Sequence, residues 1–138
     1  MNPKRKQLRS PFFLFAVMIL ISLPWLCIPN GNKLVNIYIT HPERYAITNA
    51  KLLTNNHRKY NNHATYRFSY QGKTLEGSDQ SILWGFVGEQ VTIYFEKSNT
   101  HNNGILGGLF FLTIGQWLFF MLTIAYVIYK IIHYAKTP

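Results

Sequence analysis

The chain has 138 residues, a formal charge of +9, 48% hydrophobic and 16% aromatic residues, and one cysteine. The charge does not read as a nucleic-acid footprint, because six of the 14 basic residues fall at the two ends and the other eight, in the middle, stand against all five acids. One cysteine excludes an intrachain disulfide, and Cys27, beside an apolar run, reads as a small apolar filler.

Residues 1–10 form a basic tail with Lys4, Arg5, Lys6 and Arg9, and an apolar run follows from Phe12 to Ile28. The pattern predicts a first transmembrane helix over 11–29. A basic head and an apolar run also describe a signal peptide. Here the run ends Pro24-Trp25-Leu26-Cys27-Ile28-Pro29 without a small-x-small cleavage site, and Leu26 stands where a lipoprotein carries a small residue. The expectation is an uncleaved anchor.

Residues 30–104 change to period two, the signature of strands. Val35, Ile37 and Ile39 alternate and read as a strand or a helical stem. Ile47–Leu53 reads as a strand. Asn55 to His63 is Asn-rich and reads as a polar hairpin tip. Tyr66, Phe68 and Tyr70 alternate with polar residues before a Gln71-Gly72-Lys73 turn and a returning strand at Thr74-Leu75-Glu76, where Gly77 would allow a bend. Ser78–Gly85 reads as a loop, yet Ile82, Leu83, Trp84, Phe86 and Val87 are too apolar for a free one. They are expected to cap an open end of the sheet or to touch a bilayer surface. Gly88-Glu89 turns into a strand in which Val91, Ile93 and Phe95 alternate with polar residues. The expected core is Leu52, Tyr66, Phe68, Tyr70, Leu75, Trp84, Val91, Ile93 and Phe95.

No charge occurs from Asn102 to Tyr129. The apolar stretch Ile105–Tyr129 would form a helix of about 37 Å, enough to cross a hydrocarbon core of about 30 Å with some tilt. A second transmembrane helix is predicted over 105–132, with a tail at 133–138. The fold class is therefore an α+β membrane protein: two transmembrane helices flanking a small antiparallel β-domain of four to five strands. Lys/Arg near the membrane favour the termini (Lys4, Arg5, Lys6, Arg9, Lys130, Lys136) over the middle (Lys33, Arg44, Lys97). Both termini are then cytoplasmic and 30–104 lies outside. Trp25 would sit at the outer interface, and Tyr126, Tyr129 and Tyr134 at the inner one. Lys4-Arg5-Lys6 is placed to meet anionic headgroups. No Asn-x-Ser/Thr acceptor occurs, in keeping with a bacterial inner-membrane protein.

The order Ala50-Lys51-Leu52-Leu53, polar tip, Tyr66-Arg67-Phe68-Ser69-Tyr70-Gln71-Gly72-Lys73, Leu75-Glu76-Gly77, then Val87-Gly88-Glu89-Gln90-Val91-Thr92-Ile93-Tyr94-Phe95 resembles the bacterial domain-of-unknown-function family 3592. Its members carry a Tyr-x-Phe-x-Tyr strand–turn and a Val-Gly-Asp strand close to a transmembrane helix. The likeness covers residues 46–97 and the flanking helices. The family usually has a Pro-containing turn after the last strand, where this chain has Lys97-Ser98-Asn99-Thr100. The resemblance implies a fold and a topology, and no reaction.

Candidate chemistry is sparse. His57, His63 and His101 lack a ligand spacing and a cysteine partner, so no metal or cofactor is expected. Glu43, Glu76, Asp79, Glu89 and Glu96 supply no recognised acid–base pair, although Glu76 and Asp79 lie close enough in sequence to meet. No catalytic residue is assigned, and an enzyme would need Glu76, Asp79 or Glu89 in a deep cleft. Arg58, Lys59 and Tyr60, with Arg67, Lys51 and the apolar Trp84, are the candidate binding residues, suited to an acidic protein or to headgroups. Gly104, Gly108, Gly115 and Gln116 are candidate helix-packing positions, within the chain, in a homo-oligomer or against another membrane subunit. The expected function is a non-enzymatic protein-binding module in the membrane, in one version an immunity protein against a secreted toxin. The alternative is an accessory subunit of a transporter or envelope complex.

Overall fold

The computed structural model describes residues 10–136. Expectations that rest on Lys4, Arg5, Lys6, Arg9 and the side chains of Tyr134 and Lys136 lie outside what is described. Helix α1 is Pro11–Val35, continued by a wide π turn at Asn36–Thr40 and a short 3-10 turn at Pro42–Arg44. Strands β1 (Tyr45–Arg58), β2 (Asn61–Tyr70), β3 (Lys73–Asp79), β4 (Gln90–Glu96) and β5 (Asn99–Ile105) follow, and α2 is Leu106–Lys136. The molecule is thus α+β, two long apolar helices flanking a five-stranded antiparallel sheet. It divides into a helical unit, Met1–Gly31 with Leu112–Pro138, and a β-unit, Asn32–Phe111.

Both helices are long and apolar enough to cross a membrane. Phe12, Phe15, Met18, Ile21 and Trp25 of α1 and Leu118, Met121 and Leu122 of α2 are exposed, as they would be toward lipid. Pro24 and Pro29 lie inside α1, which runs past the expected end at residue 29. Spanning helices tolerate proline when neighbours satisfy the freed carbonyls. Within this unit Asn30 Nδ2 donates to Gln116 Oε1 at 3.0 Å, so these two polar groups satisfy each other. Val35, Ile37 and Ile39 belong to the helical stem, not to a strand.

In the β-unit the sheet order is β3-β2-β1-β4-β5, every neighbour antiparallel. Strands β1 to β4 therefore form a Greek key, and β3 and β5, the two edges, run parallel and touch. The sheet curls into a partly open barrel. Its interior holds Ala50, Leu52, Ala64, Tyr66, Phe68, Ile82, Val91, Ile93, Phe95 and Ile105, with Ala46, Tyr70 and Leu75 at the margin. Phe95 packs against Phe68 and Tyr70 at ring separations of 5.1 and 4.8 Å. On the outside of β4, Tyr94 gathers Ile37, Leu106 and Leu109, with Leu34 and Tyr45 alongside. The expected core is found in place except for Trp84, which is 47% exposed.

Three local expectations are corrected. The Asn-rich stretch is strand rather than loop: pairing runs out to Arg58 and Asn61, leaving Lys59-Tyr60 as the turn. β3 extends through Asp79, into the expected loop. Residues 99–105 form β5, which has no apolar alternation. A Lys97-Ser98 turn returns the chain along β4, where Asn102 Nδ2 donates to Glu96 Oε2 at 2.9 Å.

Candidate functional site

The β1–β2 hairpin outruns its neighbours. Pairs Asn56–His63, His57–Asn62 and Arg58–Asn61 have neither β3 nor β4 beside them, because β3 ends opposite Ala64 and β4 opposite Lys51. At the end of this arm Tyr60 is 91% exposed, with Lys59 Nζ 5.4 Å from its ring centre. From Arg44 to Leu75 the chain has six basic residues and no acid. A bulge at Leu53 reverses the strand's alternation: Leu52 faces Tyr66, but Thr54 faces Thr65 and Asn55 faces the buried Ala64. Asn55 is thereby aimed inward, while Lys51, Arg58 and Arg67 share the outer face. Lys51 stands directly opposite Arg67, and Arg58 lies about 20 Å further along at about 3.3 Å per residue. The arm therefore brings Arg58, Lys59 and Tyr60 together and leaves Arg67 apart. Arg67 is held by Glu76 across β2–β3, with Nη2 and Nε at 2.6 and 3.1 Å from Oε1.

The seam between β3 and β5 has no backbone ladder and is closed by side chains. Two tyrosines lie across two glycines on the neighbouring strand. Tyr66 crosses Gly77 and its hydroxyl donates to Asn103 Oδ1 on β5. Tyr94 crosses Gly104, and its hydroxyl and Asp79 Oδ2 occupy the space a side chain there would take. Asp79 accepts from the N–H of Ile105 and of Gln80, each at 2.7 Å. Burial, then the Asp79 charge, push both hydroxyls well above the usual tyrosine range. Glu96, on the surface, is held below the usual carboxylate range by hydrogen bonds from Asn102 and then Ser98.

Gly77 is thus no bend, and Gly104 is no helix contact: it lies in β5, two residues before α2 begins. Gly108 is in α2, where a side chain would meet Ile82 and Ile105. Gly115 has nothing within 4 Å of that position, and Gln116 is taken by Asn30. Glu76 and Asp79 point to opposite faces of β3 and do not form a pair, because three residues along a strand reverse the side. A polar groove of about 290 Å³ opens on the outer side of the seam, lined by Thr65, Glu76, Gly77, Ser78, His101 and Asn103. Its carboxylate is already held by Arg67, and Asn103 Nδ2 donates to Thr100 O at 2.7 Å. Among the described residues no cluster of three His, Cys, Asp or Glu has a metal-binding arrangement. His57 faces Ser81 at 2.9 Å from Nδ1, and Ser81 also donates to Asn62.

Trp84 lies away from the arm's tip. Its ring is 5.4 Å from that of Phe111 and covers Gly107 in the first turns of α2. Sequence reasoning missed Asn55, whose amide fixes the loop on both sides of Trp84, because its inward aim follows from the bulge at Leu53, which no sequence pattern marks. Compared with known protein families, curated proteins and solved structures, the chain gives no match.

Proposed function

We propose that this chain is a bacterial inner-membrane protein that crosses the bilayer twice with both termini in the cytoplasm. Its outer β-unit is a non-enzymatic protein-binding module. The carrying observation is the arm: a two-stranded projection that ends in an exposed Tyr60 beside Arg58 and Lys59, with no acid in the hairpin to neutralise them. Aromatic and arginine side chains dominate binding energies at protein interfaces, and a one-sign charge speeds encounter with an acidic partner. In its most concrete form the partner is a secreted toxin, and the chain is its immunity protein. The likeness to the domain-of-unknown-function family 3592 belongs to the same proposal, as a membrane-held β-domain without a reaction.

A second reading, an accessory subunit of a transporter or envelope complex, draws on Gly115. Nothing lies near it, so another helix has room to approach closely. A photo-crosslinker replacing Tyr60, activated in native membranes, separates these readings. One recurrent protein adduct supports the binding module, a toxin pointing to immunity and a large membrane protein to the accessory role. Adducts only to lipid or to the chain itself overturn the protein-binding reading.

A further inference from the structure

The loop between β3 and β4 displays more apolar surface than the barrel uses. From Gln80 to Gly88 it carries no charge. Ile82 alone enters the core, closing the barrel end, whereas Leu83 is 81%, Phe86 73% and Val87 64% exposed. This display is rigidly built. Asn55 Nδ2 donates to the carbonyls of Ile82 and Gly85 at 2.8 and 2.6 Å, and its Oδ1 accepts from the N–H of Ile82 at 3.0 Å. Gly85 packs so closely on Ile82 and Leu52 that a side chain would not fit. Glu89 accepts from the N–H of Phe86 and closes the following turn, and Gly88 donates to the carbonyl of Leu52. The two flanking acids, Asp79 and Glu89, are both turned onto backbone N–H groups instead of outward.

Rigid, uncharged and apolar side chains need an apolar environment, and the structure places one beside them. Trp84 packs on Gly107 and Phe111, so the loop's surface continues into the exposed rings of Phe110 and Phe111 on α2. Helix α2 has 31 residues, about 46 Å at about 1.5 Å per residue, against a hydrocarbon core of about 30 Å. The excess of about 16 Å leaves room for its first turns to lie at headgroup depth while the rest spans. Trp84 has the amphipathic ring favoured at that depth. We infer that residues 82–87 form a lipid-facing wedge, with Leu83, Phe86 and Val87 inserted into the outer boundary of the same bilayer that α1 and α2 cross. The occupant is the lipid surface, and the inference rests on the two-span reading.

The test uses the full chain in phosphatidylcholine–phosphatidylglycerol vesicles that contain lipids brominated near either end of the acyl chain. Three single-tryptophan variants are compared: one keeps Trp84, one keeps Trp117 in α2, and one carries Phe86→Trp with the three native tryptophans replaced by phenylalanine. The wedge predicts about twofold quenching at positions 84 and 86, stronger from shallow than from deep bromines, as for groups about 5–10 Å into the interface. Trp117 must be quenched as well. If Trp117 is quenched and position 86 is not, the wedge is wrong while the spans stand. If none is quenched, the two-span reading falls and takes the wedge with it.

Discussion

The two sides of the barrel are joined by different means. On one side β1 pairs with β2 and with β4 through long backbone ladders, the first interrupted only by the bulge at Leu53, and the interior packs behind them. On the other, β3 and β5 meet through Tyr66 over Gly77, Tyr94 over Gly104, and the carboxylate of Asp79 on the N–H of Ile105. A ladder spreads its stability over many bonds, whereas a seam of side chains concentrates it in a few residues. The seam is also where the last strand, β5, leads into α2.

The largest effect should come from the laddered side. Phe95→Ala removes a buried ring that touches Phe68 and Tyr70 and should cost about 3–5 kcal/mol. A detergent thermal melt would show loss of the whole barrel rather than of one edge. Gly104→Ala should cost about 1–3 kcal/mol by forcing Tyr94 and Asp79 apart. Gly115→Ala, in open space, should cost almost nothing. Hydrogen exchange would place the Gly104→Ala loss at β3 and β5; equal loosening of β1 and β2 would erase the distinction between seam and ladder.

Alkaline titration sharpens the comparison further. The Tyr66 and Tyr94 hydroxyls keep their protons far above the usual range in the folded barrel. Below about pH 10 both folded and unfolded chains hold these protons, and the pair's contribution to stability is fully present. Above it the unfolded chain releases them first, so stability falls as pH rises. Phenolate absorbance should show the Tyr66 and Tyr94 hydroxyls silent until the barrel opens. Tyr66→Phe should leave one silent residue. Titration of Tyr66 and Tyr94 before unfolding would contradict a closed seam.

The smallest effect belongs to the outer face. Arg67→Ala breaks an exposed ion pair with Glu76 and should cost about 0–1 kcal/mol. A larger loss in a chemical-denaturation series would mean that the outer face holds the barrel as firmly as the seam.

What was legible in the sequence follows the same division. The ladders were readable because Tyr66, Phe68, Val91, Ile93 and Phe95 alternate with polar residues, and alternation is what a half-buried strand requires. The two helices were readable from length and lack of charge, although Pro24 and Pro29 suggested an earlier end to α1. The seam was not readable. Gly77 looked like a bend and Gly104 like a helix contact, because the rings that need their missing side chains arrive from other strands. β5 lacks apolar alternation, and its place is set by Glu96 on the adjoining β4 and by Asp79, which reaches it from β3. The bulge at Leu53 was equally silent, and with it the inward aim of Asn55. Of the candidate binding residues, Arg58, Lys59 and Tyr60 were found together at an exposed turn; the Glu76 partner of Arg67 appears only once β2 and β3 are paired.

The proposed topology puts the barrel on the outer side of the membrane. Substituted-cysteine labelling tests it directly: Lys59→Cys and Thr137→Cys, each in a Cys27→Ser background, are exposed to a membrane-impermeant maleimide in spheroplasts. Immediate labelling at 59, with labelling at 137 only after permeabilisation, is the predicted result. The reverse pattern, or equal labelling of both positions in sealed spheroplasts, would contradict a two-span protein with an outer β-unit.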